Sequence, residues 1–303
     1  SEDRELLIAL GGGVGDTFLA SVLARALRKR FAAVDMLAAK PHRAVLQGNP
    51  DIYDVLESDD PAQLRGRKYA ASVCTWATLE NALLPLRAKV PVRVGQARRL
   101  YSALFTKRVV VRSERGDRTS HWTQILLDYT RALGCDTDDT QPRVALTDAD
   151  RADARRLLEN ARVDGPFAIL HPTRGIQNPE RWPSAPFGRI VNELVERYRI
   201  PVLVTGSQDD RAFVARVFAE ARTAPREFAQ RSAAAINASG ATSLRAFTAL
   251  AERATVVEGT YPCPPSHRKE TCPDFACVQT LPTDPIIAAV DRLLPRDKGS
   301  ISG

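Results

Sequence analysis

Apolar and polar positions along this chain switch between two periods, short apolar runs and helical repeats. Residues 5–10 (ELLIAL) form one such run, the pattern of a buried strand. Over residues 17–31, Phe18, Val22, Leu23, Leu27 and Phe31 recur at near-helical spacing and predict an amphipathic helix. Further strands are predicted at 34–39, 69–76, 90–95 and 108–113. Helices are predicted at 79–88 and 121–134, the latter closed by Gly134. Residues 135–149 (CDTDDTQPRVALTDA) are polar and acidic and read as a linker. The pattern then restarts with a helix at 148–162, a strand at 167–172, a helix at 185–199, a strand at 200–206 and helices at 209–222 and 242–254. A strand at 255–259 and a last helix at 284–294 complete the series. Strands alternating with helices in two successive units predict an α/β protein of two doubly wound domains, residues 1–147 and 148–303, with a cleft between them. Ligands in such sheets sit outside the carboxyl ends of the strands.

Composition fits that picture and narrows it. The 303 residues are 44% hydrophobic and 26% charged, as in a globular protein. No apolar run reaches the roughly 20 residues of a membrane span. The start, SEDRELLIAL, is acidic and lacks the basic segment and long apolar core of a signal peptide, so the expected location is cytoplasmic. Lys and Arg exceed Asp and Glu by 43 to 36, a net charge of +7. That excess suits an acidic partner, and an Arg-rich composition of the whole genome explains it equally. Five cysteines, three of them crowded between 263 and 277, do not read as a secreted disulfide framework.

The densest chemistry lies in GGGVGD, residues 11–16. A dinucleotide fingerprint requires glycine at its first, third and sixth places, and the sixth place counted from Gly11 is Asp16. A Walker loop is excluded because no Lys-Ser/Thr follows. A carboxylate here would also repel a pyrophosphate on the helix N-terminus. What remains is a flexible turn with an acid at the start of a helix. Asp16 in that place either caps the helix or serves as a general base toward a substrate hydroxyl, and both roles stay open.

The ordered series of motifs resembles glycosyltransferase family 9, the ADP-heptose:lipopolysaccharide heptosyltransferases and their relatives. GGGVGDTFLASVLARAL resembles the family's N-terminal Gly-Asp turn and first helix, and VLQGNPDIYDVLE (45–57) its Asn-Pro segment. FAILHPTRGIQNPERWPSAPFGRIVNEL (167–194) is similar to the strand, loop and Arg-Trp-Pro helix start of the second domain. VLVTGSQDD (202–210), TSLRAFTALAERATVV (242–257) and YPCPPSHRKETCPDFACVQTLPTDPIIAAV (261–290), which resembles the family's Cys-Pro-Cys tail with Tyr261 in place of its first Cys, follow in the family's order.

The resemblance implies a GT-B fold, two Rossmann-like domains facing across a cleft, with the acceptor held by the first and the nucleotide-sugar by the second. It implies inverting, metal-independent transfer of a heptose from ADP-heptose to a sugar hydroxyl of a lipopolysaccharide-type acceptor. Asp16 becomes the general base, and Gly12, Gly13 and Gly15 form the acceptor-side turn. Thr173, Arg174, Arg181, Gly206, Gln208 and Asp209 become the donor-binding residues, their cations and N–H groups stabilising the departing diphosphate without a metal. Trp182 has either a donor-side or a packing role, with Pro183 at a helix start. The setting implied is the cytoplasm, extending to a peripheral position at the inner face of the cytoplasmic membrane. Transfer to a protein or another polysaccharide, or a donor-defective homologue acting as a scaffold, are the alternatives.

Two places depart from the family. Glu180 stands where members carry a Lys before Arg-Trp-Pro. The chain also runs from Thr260 straight to Tyr261, where members continue through an Asp-Thr-Gly-Pro-x-His loop, a helix and a strand. The intact pattern on both sides favours a segment omitted from this sequence over a true deletion.

Weaker constellations complete the reading. Cys263, His267, Cys272 and Cys277 could hold a structural Zn or Fe, although no C-x-x-C knuckle is present. Asp148-Ala149-Asp150 has D-x-D spacing but reads better as acids at a helix N-terminus. His42 and His121 fit local structural roles at helix starts, with His121 also a candidate for an acceptor pocket. The basic-aromatic run 98–112 suits either anionic head groups or a solvated face. No motif for stacking or groove reading supports nucleic-acid binding.

Overall fold

The computed structural model describes residues 5–9, 13–58, 61–75, 78–117, 119–172, 182–205, 210–222, 226–227, 237–239, 256–258 and 276–294. The chain divides into two compact units at the Asp148–Ala149 junction.

In the first unit, six strands pair in parallel: β1 (Glu5–Ala9), β2 (Ala33–Ala38), β3 (Asp54–Glu57), β4 (Tyr69–Cys74), β5 (Val92–Gln96) and β6 (Lys107–Val109). Their order is β3-β2-β1-β4-β5-β6. The chain therefore winds outward from β1 in one direction, then returns to its other side at β4. Such a reversal between β1 and β4 opens a crevice at the carboxyl ends of those two strands, the place where doubly wound sheets bind ligands.

Alternation along the strands divides the core into two layers. Leu6 and Ile8 share a face with Val34, Met36, Ala71 and Val73, which packs against α1 (Val14–Leu27) and α3 (Trp122–Arg131). Leu7 points the other way, with Leu37, Leu56 and Tyr69, toward Leu84 of α2 (Leu79–Arg87). Both faces of β1 are thus sealed from water, which is why its sequence is a continuous apolar run.

The same lower layer contains a buried carboxylate. Asp35 on β2 accepts hydrogen bonds from the Tyr69 hydroxyl at 2.8 Å and from Arg67 at 2.6 Å. Arg67 also pairs with Asp54 at 2.5 Å, so one guanidinium ties the starts of β2, β3 and β4 together. Burial raises the Asp35 pKa, and the bonds from Tyr69 and Arg67 only partly offset it.

Several predicted boundaries move. The first helix begins at Val14 and ends at Leu27, and Phe18 is only half-buried. Small residues explain its fit: Ala20, Ser21 and Ala24 are buried and let the helix lie close on the sheet. The strand expected at 108–113 is β6 at 107–109, because Arg112 to Arg115 turn into a short 3-10 helix. Strand β3 was not predicted, as four residues with two apolar positions carry little periodicity. Gly134 closes the turn after α3 at φ +72°, a left-handed conformation that glycine adopts without strain.

The predicted linker is not free. Arg25 of α1 donates to the carbonyls of Asp139 and Gln141 at 2.9 Å each and pairs with Asp51 at 3.1 Å. Lys29 donates to the Asp136 carbonyl at 2.7 Å. These bonds strap residues 136–141 along the first unit. A polar, acidic composition suggested a tether, but Arg25 of α1 and Lys29 just beyond it capture its carbonyls.

In the second unit, α4 (Asp148–Asn160) precedes β7 (Ala168–Leu170), α5 (Ser184–Tyr198), β8 (Val202–Val204), α6 (Arg211–Glu220) and β9 (Arg226–Glu227). Strands β7, β8 and β9 pair in parallel in that order. A separate parallel pair joins β10 (Asn237–Ser239) and β11 (Val256–Glu258), and α7 (Ala276–Gln279) and α8 (Asp284–Leu293) follow. The core gathers Phe187, Ile190 and Val191 of α5, Phe213 and Val217 of α6, Val202 and Val204 of β8, and Ile286 and Val290 of α8. Gly188 lets α5 approach α6: a Cβ there would lie 2.6 Å from the Glu220 Cβ and 2.8 Å from its carbonyl carbon. The helix predicted at 242–254 lies outside the described residues.

Candidate functional site

Asp16 lies in the first turn of α1, the helix that follows β1. Gly13 is the N-cap of α1, in extended geometry, and Asp16 stands at the third helical position. The Gly13 N–H donates to Asp16 Oδ2 at 3.0 Å, the backward half of a capping box. Asp16 is therefore not the N-cap residue; it caps by reaching back. It is half-buried, and among the described residues this is the one hydrogen bond it makes, leaving Oδ1 open. Gly15 is exposed, and a Cβ built on it meets nothing within 4 Å, so the fold places no steric demand for glycine there. Gly12 lies outside the described residues.

One strand over, a cavity of about 440 Å³ opens at the carboxyl ends of β4 and β5. Thr75, the residue after β4, and Gln96, the last of β5, form one wall. Trp122, Ile125 and Tyr129 of α3 form another, and Arg99 and Glu114 complete the polar side. Gln96 Nε2 donates to Glu114 Oε1 at 2.6 Å. Burial, reinforced by the nearby Cys74 and Glu114, pushes the Tyr129 hydroxyl far above its ordinary pKa of 10.0, so it remains a donor.

Two turns hold α3 against this cavity. Asp128 receives the Arg112 backbone N–H at 2.7 Å, its guanidinium at 2.9 Å and Arg131 at 2.8 Å. Burial alone would raise the Asp128 pKa, but these bonds from Arg112 and Arg131 outweigh it and leave it lowered. Ahead of the helix, Asp117 accepts the Ser120 hydroxyl at 2.6 Å and the N–H groups of Ser120 and Thr119 at 3.0 and 2.9 Å, which hold its carboxyl well below the usual range. His121 is the N-cap of α3, its Nδ1 accepting the Thr123 N–H at 3.2 Å.

The donor-side residues Thr173, Arg174, Arg181, Gly206, Gln208 and Asp209 all lie outside the described residues. The strands feeding them are described. β7 and β8 end side by side, and the His171 Nδ1 that follows β7 lies 2.9 Å from Thr205 Oγ1 after β8. Trp182 resolves to packing: it is 8% exposed, stands edge-on to Phe187 at 4.4 Å, and its indole N–H donates to the Leu281 carbonyl at 3.3 Å. Pro183 is the N-cap of α5.

Of the cysteine tail, Cys263, His267 and Cys272 lie outside the described residues, and Cys277 is placed on α7 by its backbone alone. Among the described residues no cluster of His, Cys, Asp and Glu could hold a metal. Asp148 and Asp150 open α4, a helix with no buried residue, in keeping with acids at a helix start. The run 98–112 is no uniform basic face: Ser102, Phe105 and Val111 are buried and Arg112 is spent on Asp128, while Arg98, Arg99 and Leu100 are exposed. The Nδ1 of His42 is buried and without a hydrogen-bond partner among the described residues. No helix among the described residues is long and apolar enough to cross a membrane.

A parallel sheet reversed at β1/β4, followed by a second α/β unit with its own parallel strands, defines the GT-B class of glycosyltransferases. The chain belongs to glycosyltransferase family 9 (heptosyltransferase), whose model matches residues 62–260. That match ends at Thr260 and does not take in the glycine turn. The glycosyl transferase family 9 structure from Veillonella parvula DSM 2008 is similar at a TM-score of 0.74 and 15% identity, over 97% of this chain and 98% of that one. The E. coli ADP-heptose lps heptosyltransferase II gives 0.59 and 17% over 73% of this chain and 70% of its own. The E. coli heptosyltransferase WaaC with ADP gives 0.56 and 13% over 76% of each. No curated protein matches the chain in sequence.

Proposed function

We propose that this glycosyltransferase moves a heptose from ADP-heptose to a sugar hydroxyl of a lipopolysaccharide-type acceptor by a single inverting displacement. The first unit holds the acceptor and the second the nucleotide-sugar. Asp16 accepts the proton of the attacking hydroxyl as that oxygen bonds to the anomeric carbon and ADP departs. Thr173, Arg174, Arg181, Gly206, Gln208 and Asp209 bind the donor, and guanidinium charge and backbone N–H groups take up the diphosphate's developing charge. No metal enters this scheme. The enzyme works in the cytoplasm, at the inner face of the membrane that carries its acceptor.

The observation that carries this reading is Asp16 Oδ1, which makes no hydrogen bond among the described residues. A carboxylate held through one oxygen in the first turn of α1, after the carboxyl end of β1, keeps its second oxygen to accept a proton. Family membership and the ADP and ADP-heptose named with its structural relatives support the choice of donor. The test is release of ADP from ADP-heptose in the presence of lipopolysaccharide-type acceptors, with Asp16→Asn as the control. Saturable turnover lost in the variant supports the reading; turnover with UDP- or GDP-sugars in place of ADP-heptose overturns the donor assignment.

A further inference from the structure

The cavity beside α3 has a chemistry of its own. Trp122, Ile125 and Tyr129 stand three and four residues apart and so share one face of the helix, giving the cavity an apolar wall with aromatic rings. Glu114, which also lines the cavity, is fixed at three points. Its N–H donates to the Val111 carbonyl at 2.9 Å, its carbonyl accepts from Arg98 at 3.2 Å, and Gln96 holds Oε1. The remaining oxygen, Oε2, is buried and has no hydrogen-bond partner among the described residues. Folded proteins rarely leave such an acceptor unsatisfied. The carboxylate's terminal torsion is a broad two-fold rotor that turns both oxygens together, so a ligand hydroxyl reaches Oε2 as the Gln96 bond shifts with it.

An uncharged pyranose matches this lining. Its C–H face suits aromatic and aliphatic walls, and its hydroxyls supply the protons that a carboxylate, an acceptor only, requires. Phosphate and carboxylate groups have no proton to offer at neutral pH and meet the Glu114 charge. Arg99 on the rim balances that charge, so the cavity as a whole has no excess of positive charge to draw an anion. Its volume of about 440 Å³ lies within the range of small-molecule sites.

We propose that the cavity bounded by Trp122, Tyr129, Gln96 and Glu114 is a subsite for an uncharged sugar ring of the acceptor, with Glu114 setting its preference for neutral over anionic rings. The proposal rests on the transferase reading, because the ring belongs to the molecule being glycosylated. Gln96 is a positioning residue and Glu114 the reading group.

Saturation-transfer NMR on the full chain, with the methyl glycosides of glucose, galactose and mannose, tests it. Glucuronate and inorganic phosphate are the anionic probes, and ADP is titrated in parallel. At least one neutral glycoside binds saturably; Glu114→Ala weakens it by about ten-fold or more, the scale of one lost charge-assisted hydrogen bond, and Trp122→Ala by about three-fold or more, the scale of one lost ring contact. Glu114→Gln, which keeps the side chain's shape, brings glucuronate to within about three-fold of the neutral ring, again less than one such bond. Circular dichroism confirms that each variant is folded. Anions bound more tightly than neutral glycosides, neutral binding indifferent to both alanine variants, or no glycoside binding at all overturns the subsite. ADP binding retained in those cases leaves the transferase reading standing, whereas a wild-type chain that ignores ADP counts against that reading itself.

Discussion

The Gly13 N–H lies 3.0 Å from Asp16 Oδ2, so the acid that opens the first helix is fixed by the backbone of the turn it follows. One oxygen serves the fold, and the other makes no hydrogen bond among the described residues. Replacing the acid therefore separates the two roles.

Asp16→Asn keeps an oxygen that can accept the Gly13 N–H but removes the base. Turnover should fall by roughly 10²- to 10⁴-fold, the worth of a general base. The melting temperature should hardly move. Asp16→Ala loses the cap as well and should cost about 1 kcal/mol of stability. Steady-state rates beside thermal melts decide; an Asn variant with near wild-type turnover removes Asp16 from the base role.

Gly15→Ala tests why glycine stands where the fold has room for a side chain. A Cβ meets nothing within 4 Å and the helix gains propensity, so stability should rise by up to about 1 kcal/mol. If the acceptor approaches the backbone here, its KM should rise while donor binding is unchanged. Equal acceptor KM values would mean that the turn is not an acceptor surface.

Asp128 makes the fold sensitive to acid. Its pKa is lowered in the folded state from the ordinary 3.8, with Arg112 and Arg131 overcoming the opposing effect of burial. The folded form thus binds the proton less readily than the unfolded form. Its stabilisation is complete above pH 3.8 and is lost as pH falls toward the folded value. Urea midpoints should show Asp128→Asn less stable by about 1.5–3 kcal/mol at neutral pH. The gap to wild type should narrow below about pH 4. A gap that is constant with pH would show that the ion pairs contribute nothing.

Gly188→Ala should destabilise the second unit. The added methyl would press on Glu220 at 2.6 Å and on its backbone at 2.8 Å, forcing α5 and α6 apart. Overpacking of this kind costs about 1–3 kcal/mol, and the better helix propensity of alanine returns up to about 1. A lowered unfolding midpoint, with transitions of the first unit unchanged, is the expected result; an unchanged midpoint would mean the helices can separate without cost.

Much of the fold was legible because burial writes local periods into the chain. Strand β1 reads as a continuous apolar run since both its faces are covered, and α3 shows its buried Ile125, Leu126 and Tyr129 at helical spacing. Asp16 stood out because an acid breaks a glycine pattern that would otherwise suit a phosphate. Strand β3 escaped because it is short and sits at the sheet edge, where only Val55 and Leu56 need cover. The 136–141 strap escaped because its bonds are to carbonyls, which no side-chain pattern records.

By itself, the sequence determined the alternation of strands and helices of an α/β chain and the acid on the first turn, since each depends on neighbours within a few residues. The tertiary structure decided the strand order that brings the ends of β1 and β4 together. It also decided the cavity, which joins Thr75, Gln96, Glu114 and Trp122 from separate elements. Glu114 sits in a short polar turn, RSERG, whose local pattern is that of any solvated loop. Only the packing of α3 against β4 and against the turn at Arg112–Arg115 brings that carboxylate into one cavity with aromatic rings, because contacts between distant segments leave no period in the chain.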